Sequence, residues 1–235
     1  MLKELYKYRP FKDYVLESLS DGVIWVSKQR DINDPFEYYF HIEPDMTFEE
    51  VAKRKKDATK KNYMEKQQEL IEGIKERFST GGIFSLSERP NISLMWSHYA
   101  DYHKGFCIGY QVDKNNDLGN GKCQSVQYKK SPPSFSLLEM WQGVEKMDNN
   151  FAKKLFEIMV LSKDLNWQYE HEWRVVYEQS EQLIIPNFPI SSITFGMRMP
   201  EVQRKKIIDL LDDKKTAFFE AVKQDDSYNV GVAKI

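Results

Sequence analysis

Glu170 and Glu172 stand one residue apart, and Arg174 follows two positions on, in the run Trp167-Gln168-Tyr169-Glu170-His171-Glu172-Trp173-Arg174-Val175-Val176. Read as a strand, the run puts Glu170, Glu172 and Arg174 on one face and Tyr169, His171, Trp173 and Val175 on the other. Two carboxylates this close repel, which raises one carboxyl unless a cation compensates, and Arg174 is placed to do so. A salt-bridge row on a wet sheet face and a carboxylate pair in a cleft both satisfy this pattern. Three other segments carry groups of comparable interest. Arg9 ends the alternating run Leu5-Tyr6-Lys7-Tyr8-Arg9, and a guanidinium grips phosphate or carboxylate bidentately. Ser85 and Ser87 share the face of Phe84-Ser85-Leu86-Ser87 opposite Phe84 and Leu86, as a polar pocket wall or a solvent-facing edge. Trp96, Tyr99, Ala100 and His103 fall on one helical face, as core or as rings on which a flat ligand stacks.

The elements that must position these groups are legible in outline. Residues 5–9 read as a strand ended by Pro10, and Val15, Leu16 and Leu19 as a helix capped by Gly22. Residues 23–26 form a buried strand, and Asn33-Asp34-Pro35-Phe36 is a turn. Thr47-Phe48-Glu49-Glu50 reads as a capping box opening a long charged helix over 47–78, an insertion whose first half, Lys53 to Lys61, is basic. Strands follow at 83–87 and 105–112, the latter expected to pair with 126–130, with a helix at 92–102 between them. A helix over 135–162, strands at 172–178, 182–185 and 190–195, a helix at 202–211 and a hairpin over 217–222 and 228–235 complete the reading. Strands and helices do not alternate strictly. The expectation is therefore an α+β single domain over 1–235, its sheet mostly antiparallel and flanked by helices.

Composition narrows the function classes. The chain has 235 residues with 34 Lys+Arg against 36 Asp+Glu, a formal charge of −2, which excludes wholesale coating of nucleic acid. Its 14 Phe, 13 Tyr and 5 Trp supply a core and exclude a disordered chain. No apolar run reaches the roughly 18–20 residues of a membrane span. The first residues lack the apolar core of a signal peptide, and only Cys107 and Cys123 carry thiols, so a reduced, cytoplasmic protein is expected. P-loop, dinucleotide-fold and nucleophile-elbow motifs are missing. His98 and His103 diverge on a helix, so no metal site is expected.

Lys7-Tyr8-Arg9, Asn33-Asp34-Pro35-Phe36, Met95-Trp96-Ser97-His98-Tyr99-Ala100 with Gly105, and Trp167 with Tyr169-Glu170 and Glu172-Trp173-Arg174 together resemble a bacterial family catalogued as domain of unknown function 2971. That resemblance implies no established activity. A more remote resemblance links Arg9, then Ser85-Leu86-Ser87, then Glu170-His171-Glu172, to the ordered motifs of Arg-type ADP-ribosyltransferases. The sequence departs from their pattern at Leu86, where a hydroxyl residue is usual, and in its Asn-Asp-Pro-Phe turn and Trp-Ser-His-Tyr helix.

This second resemblance implies an ADP-ribosyltransferase-like, possible-split sheet and a reaction on NAD, bound as substrate rather than as resident cofactor. Glu172 would accept the ribose hydroxyl and face the sugar cation, and Glu170 would orient or deprotonate the acceptor. Arg9 would hold the pyrophosphate, Ser85 or Ser87 would position Glu172 or the ribose, and Tyr99 or Trp96 would stack on nicotinamide. The acceptor would be a protein or nucleic acid, and such enzymes serve as toxins or defence effectors. Two other classes fit the same residues. One is a metal-dependent nuclease using Asp34, Glu170, Glu172 and Arg174; the other is a non-catalytic protein that binds a nucleotide or a partner in the same cleft.

Overall fold

The computed structural model describes residues 2–28, 31–43, 65, 68–69, 72–73, 76, 81–136, 139, 149–212, 215–225 and 227–235. The basic stretch Lys53 to Lys61 and most of the expected 47–78 helix lie outside these residues; the described positions in it, such as Glu69 and Glu72, are helical.

Strand β1 (Glu4–Arg9) opens the chain, followed by helix α1 (Asp13–Asp21), β2 (Ile24–Lys28), β3 (His41–Glu43) and β4 (Gly82–Ser87). Helix α2 (Ser93–Tyr99) leads to β5 (Phe106–Gln111), β6 (Cys123–Ser125), β7 (Gln127–Lys129) and β8 (Ser134–Ser136). Helix α3 (Asn149–Leu161), β9 (Ser162–Asp164), a 3-10 turn (Leu165–Glu170), β10 (Glu172–Tyr177), β11 (Gln182–Ile184) and β12 (Ile190–Phe195) come next. Helix α4 (Glu201–Leu211), β13 (Ala217–Lys223) and β14 (Val230–Lys234) close the chain.

The architecture is α+β. Ten strands form one mixed sheet, whose main path runs β11-β2-β4-β1-β5-β12-β13-β14 with β10 and β6 branching from β4. Pairing in it is antiparallel except between β12 and β13. Alternation along the strands sends Leu5, Phe84, Leu86 and Val175 to one face, where Val15 and Leu19 of α1 and Ile207 and Leu211 of α4 cover them. On the other face Tyr8 and Cys107 pack against Met95 and Trp96 of α2, and Ile83 against Leu155 and Met159 of α3.

Two expectations are corrected. Residues 127–129 pair in parallel with β9 rather than with β5. Residues 135–136 are not helical but, with Ser134, form β8 beside β3; Glu139 is helical, and the next described helix starts at Asn149. Short strands such as these give too few alternating positions to register as a pattern.

One feature of the sheet decides where a ligand can enter. Both β1 and β2 pair with the same edge of β4, β1 at Tyr6–Ser87 and β2 at Ser27–Ile83 and Lys28–Gly82. The other edge of β4 is paired along its whole length by β10. The stretch Phe84–Leu86 therefore lacks a ladder partner on the shared edge, and the sheet splits there into a wedge. An unpaired backbone carbonyl in such a place needs another donor. Lys7 provides one, its Nζ 2.5 Å from the Ser85 carbonyl oxygen.

Gly105 fixes α2 against this wedge. A Cβ there would collide with the Arg9 carbonyl oxygen and crowd that of Ala100, to which the Gly105 N–H donates at 2.8 Å. Gly105→Ala is expected to cost about 1–3 kcal/mol in an equilibrium urea titration, the usual range for overpacking, because backbone must move to admit the methyl.

Candidate functional site

Glu170 and Glu172 do not lie on one continuous strand. Glu170 ends the 3-10 turn, which Asp164 caps by accepting the Asn166 N–H at 2.8 Å; His171 then takes a left-handed conformation at φ 45°. Glu172 begins β10 after that reversal. The two carboxylates still meet, because Lys163 of β9 donates to Glu170 Oε2 at 2.6 Å and to Glu172 Oε2 at 3.0 Å. Arg174 grips Glu172 through Nε at 2.8 Å and Nη2 at 2.9 Å, and grips Glu37 through Nη1 at 3.0 Å and Nη2 at 2.6 Å. Its Nη1 also donates to the Val160 carbonyl at 2.6 Å. Lys163 lies 3.4 Å from Glu37.

Three carboxylates against two cations leave this buried cluster one net negative charge. Arg174 has no solvent exposure, and Glu170, Glu172 and Lys163 are also buried. Burial pushes the Glu172 carboxyl up, but Arg174 and Lys163 together outweigh it and hold the group well below the usual carboxylate range. Burial likewise depresses Lys163, and the attraction of Glu172, Glu170 and Glu37 overrides it and raises the ammonium.

The remaining motifs reach the same place. Tyr99 of α2 donates its hydroxyl to Glu170 Oε1 at 2.6 Å and accepts from Asn33 Nδ2 at 3.2 Å. The Asn-Asp-Pro-Phe turn closes as its residue types dictate, Asp34 Oδ1 accepting the Phe36 N–H at 2.9 Å, and it delivers Glu37 to Arg174. Ser87 donates to the Glu170 carbonyl at 2.6 Å, and the Ser85 hydroxyl beside Glu172 favours its charged form. The Glu172 N–H donates to the Tyr128 hydroxyl at 2.7 Å.

These groups border a cavity of about 580 Å³ whose wall includes Lys7, Arg9, Ser85, Ser87, Tyr99, Lys163, Glu170 and Glu172. Sites for small ligands commonly have roughly this size. Trp96 is not part of the wall. It is wholly buried, with its indole N–H on the Pro90 carbonyl at 2.9 Å and its ring edge-on to Tyr8 at 5.1 Å, so it is a core residue beneath the cavity. Arg9 stands at the wedge and borders a second cavity as well. Among the described residues no group of three or more His, Cys, Asp or Glu is arranged to hold a metal ion. The acidic side chains that do cluster spend their oxygens on Lys163 and Arg174.

The four segments quoted for the family resemblance thus surround one cavity. Residues 95–175 match the model of the family described as Protein of unknown function (DUF2971). Over that stretch the chain is similar to this family. The DUF2971 stretch includes the Trp-Ser-His-Tyr helix, Lys163, Glu170, Glu172 and Arg174, while Lys7, Arg9 and the Asn-Asp-Pro-Phe turn come from outside it. No curated protein and no solved structure matches the chain. The resemblance to ADP-ribosyltransferases accordingly rests on the three sequence motifs alone.

Lys163, Glu37 and Tyr128 were not among the residues that the sequence singled out, and Lys7 entered only as part of the Lys7-Tyr8-Arg9 motif. Lys163 carried one usable signal, a lone cation one serine beyond the apolar run Ile158-Met159-Val160-Leu161. Lys7 is pushed down to about 7, mainly by burial and further by Arg9, against the pull of Glu172 and Glu170. A lysine whose folded value lies below its unfolded value of 10.5 binds fewer protons folded than unfolded between the two. Stability attributable to Lys7 therefore rises with pH across that interval. The urea midpoint of Lys7→Met relative to the parent is expected to fall as pH rises from 7 toward 10.5, on top of a pH-independent loss of the bond to the Ser85 carbonyl; a difference independent of pH would contradict this.

Proposed function

We propose that the cavity binds NAD and that the protein is an ADP-ribosyltransferase-like enzyme, which cleaves the nicotinamide–ribose bond and passes ADP-ribose to a protein or nucleic acid. The observation that carries the reading is convergence: Arg9, Ser85 with Ser87, and Glu170 with Glu172 come from three distant segments and line one cavity.

Cleavage builds positive charge on the ribose as nicotinamide departs neutral with the bonding pair. The acidic cluster keeps one net negative charge beside that position, and its oxygens are fixed before the reaction by Arg174, Lys163, Tyr99 and Ser85. Preorganised charge of this kind favours the state in which the cation develops. Glu172 faces the sugar, and Glu170 orients the acceptor and takes its proton as the new bond to the ribose carbon forms. Arg9 holds the pyrophosphate, with Lys7 as a second cation on the same wall, and Tyr99 offers a ring to nicotinamide. A role as toxin or defence effector in the cytoplasm is consistent with consumption of so central a metabolite.

A second reading draws on the same cluster. Both oxygens of Glu172 are already engaged, which suits a rigid wall that binds a nucleotide without cleaving it. Incubation with NAD, with and without cell lysate, followed by a mass assay for free nicotinamide separates the two. Accumulating nicotinamide supports the enzyme, saturable NAD binding without release supports the binding protein, and neither result defeats both.

A further inference from the structure

The wedge between β1 and β2 opens on the opposite face of the sheet as well, into a second cavity of about 980 Å³. Its floor is apolar: Leu19, Ile24, Ile108 and Phe188 are buried residues of the main core. Trp25 and Leu183 stand at its rim, 42% and 57% exposed. Into this apolar space reaches one strong cation, Arg9. By alternation its side chain shares the face of Leu5 and Phe84 rather than that of Tyr8 and Ser85. The ionisable groups that act on its guanidinium are the Tyr110 and Tyr14 phenols, both also cavity residues, and burial disfavours its charge. Among the described residues no carboxylate pairs with it, whereas Lys163 and Arg174 each have carboxylate partners.

A guanidinium held among apolar walls without a counter-charge is costly, and it cannot relieve that cost by losing its proton. A ligand that brings an anion relieves it. The apolar floor calls for a hydrophobic body, and the planar donor fork of Arg9 suits a carboxylate taken bidentately. The mouth carries Glu17 and Asp21 against Lys215, a balance that disfavours a doubly charged head. We propose that this second cavity binds an amphipathic carboxylate, its chain along Leu19, Ile24 and Phe188 and its head on Arg9. Such a ligand occupies the guanidinium from the face opposite the carboxylate cluster. The site shares Arg9 with the first cavity, so an anion held here and a pyrophosphate held there compete for one guanidinium.

Isothermal titration of the full chain with decanoate, 1-decanol and decyl phosphate, each below its aggregation limit, tests this. Decanoate is expected to bind at least about tenfold more tightly than 1-decanol, a difference of roughly 1.4 kcal/mol. Arg9→Gln should bring the acid down to the level of the alcohol and leave the alcohol unchanged. Ser18→Trp, a half-buried position of the wall on α1, should block both. Glu172→Gln should leave decanoate binding intact, which separates this site from the carboxylate cavity. Equal affinity for acid and alcohol, no binding of either, or an Arg9→Gln variant that binds decanoate as the parent does would overturn the proposal. Tighter binding of decyl phosphate than of decanoate would overturn the assignment to a carboxylate.

Discussion

Replacing Arg174 with methionine is expected to cost about 3–5 kcal/mol of folding stability, the range for breaking a buried ion pair from one side. Arg174 is fully buried and provides four of the hydrogen bonds that neutralise Glu37 and Glu172. Without it those carboxylates share only Lys163, which already serves Glu170. The penalty comes from the stranded charges rather than from the worth of the pair. A triple replacement with Arg174→Met, Glu37→Leu and Glu172→Leu should therefore recover part of the loss. Urea midpoints at constant m-value measure both. The acid limb supplies a second readout. Glu172 is lower in the folded state than its unfolded value of 4.5, so its contribution is present above that value and lost as pH falls through the folded one. The parent should hold the contribution into strongly acidic solution, whereas Arg174→Met should begin to lose it near ordinary carboxylate values. A variant as stable as the parent would mean that the cluster is not the closed unit described.

Glu172→Gln is expected to lower the rate of nicotinamide release on the order of 10²–10³-fold while the fold persists, if the carboxylate acts chiefly in the transition state. The amide turns one acceptor oxygen into a donor facing Arg174 or Lys163, at a cost of about 1–3 kcal/mol. Arg174 keeps Glu37, so the cluster loses one member and not its centre. The rate loss should exceed any change in the binding of NAD, because the positive charge lies on the nicotinamide ring in the ground state and reaches the ribose that faces Glu172 only as the bond breaks. Consumption of NAD at the parent rate would remove Glu172 from the mechanism. The unfolding midpoint of the same preparation shows that the variant is folded.

Much of the scaffold was legible from residue pattern. Gly22 ends α1 in the left-handed conformation its position suggested, at φ 66°, and Glu172 to Tyr177 and Ile190 to Phe195 are strands where alternation placed them. The convergence of Glu172 and Arg174 was legible because residues two apart on a strand share a face. The meeting of Glu170 with Glu172 came about by another route. A left-handed His171 and a lysine from β9 bring them together, and neither a single-residue φ nor a distant counter-ion is written in local spacing. The wedge was likewise hidden, since it arises from two strands competing for one edge of β4, a property of pairing and not of any one segment. Trp96 shows the reverse limit. Trp96 and Tyr99 lie on α2, whereas Ala100 and His103 lie beyond its end at Tyr99, where residues 101–103 turn left-handed; periodicity alone does not separate a ring in the core from a ring beside a ligand.

The position of bound NAD is the decisive observable. A crystal structure of the protein with NAD should show the nicotinamide ribose in the cavity between Arg9 and Glu172, a ribose hydroxyl within roughly 2.6–3.2 Å of the Glu172 carboxylate. Dinucleotide found elsewhere on the molecule, or in this cavity with the nicotinamide ribose turned away from Glu172, would contradict it.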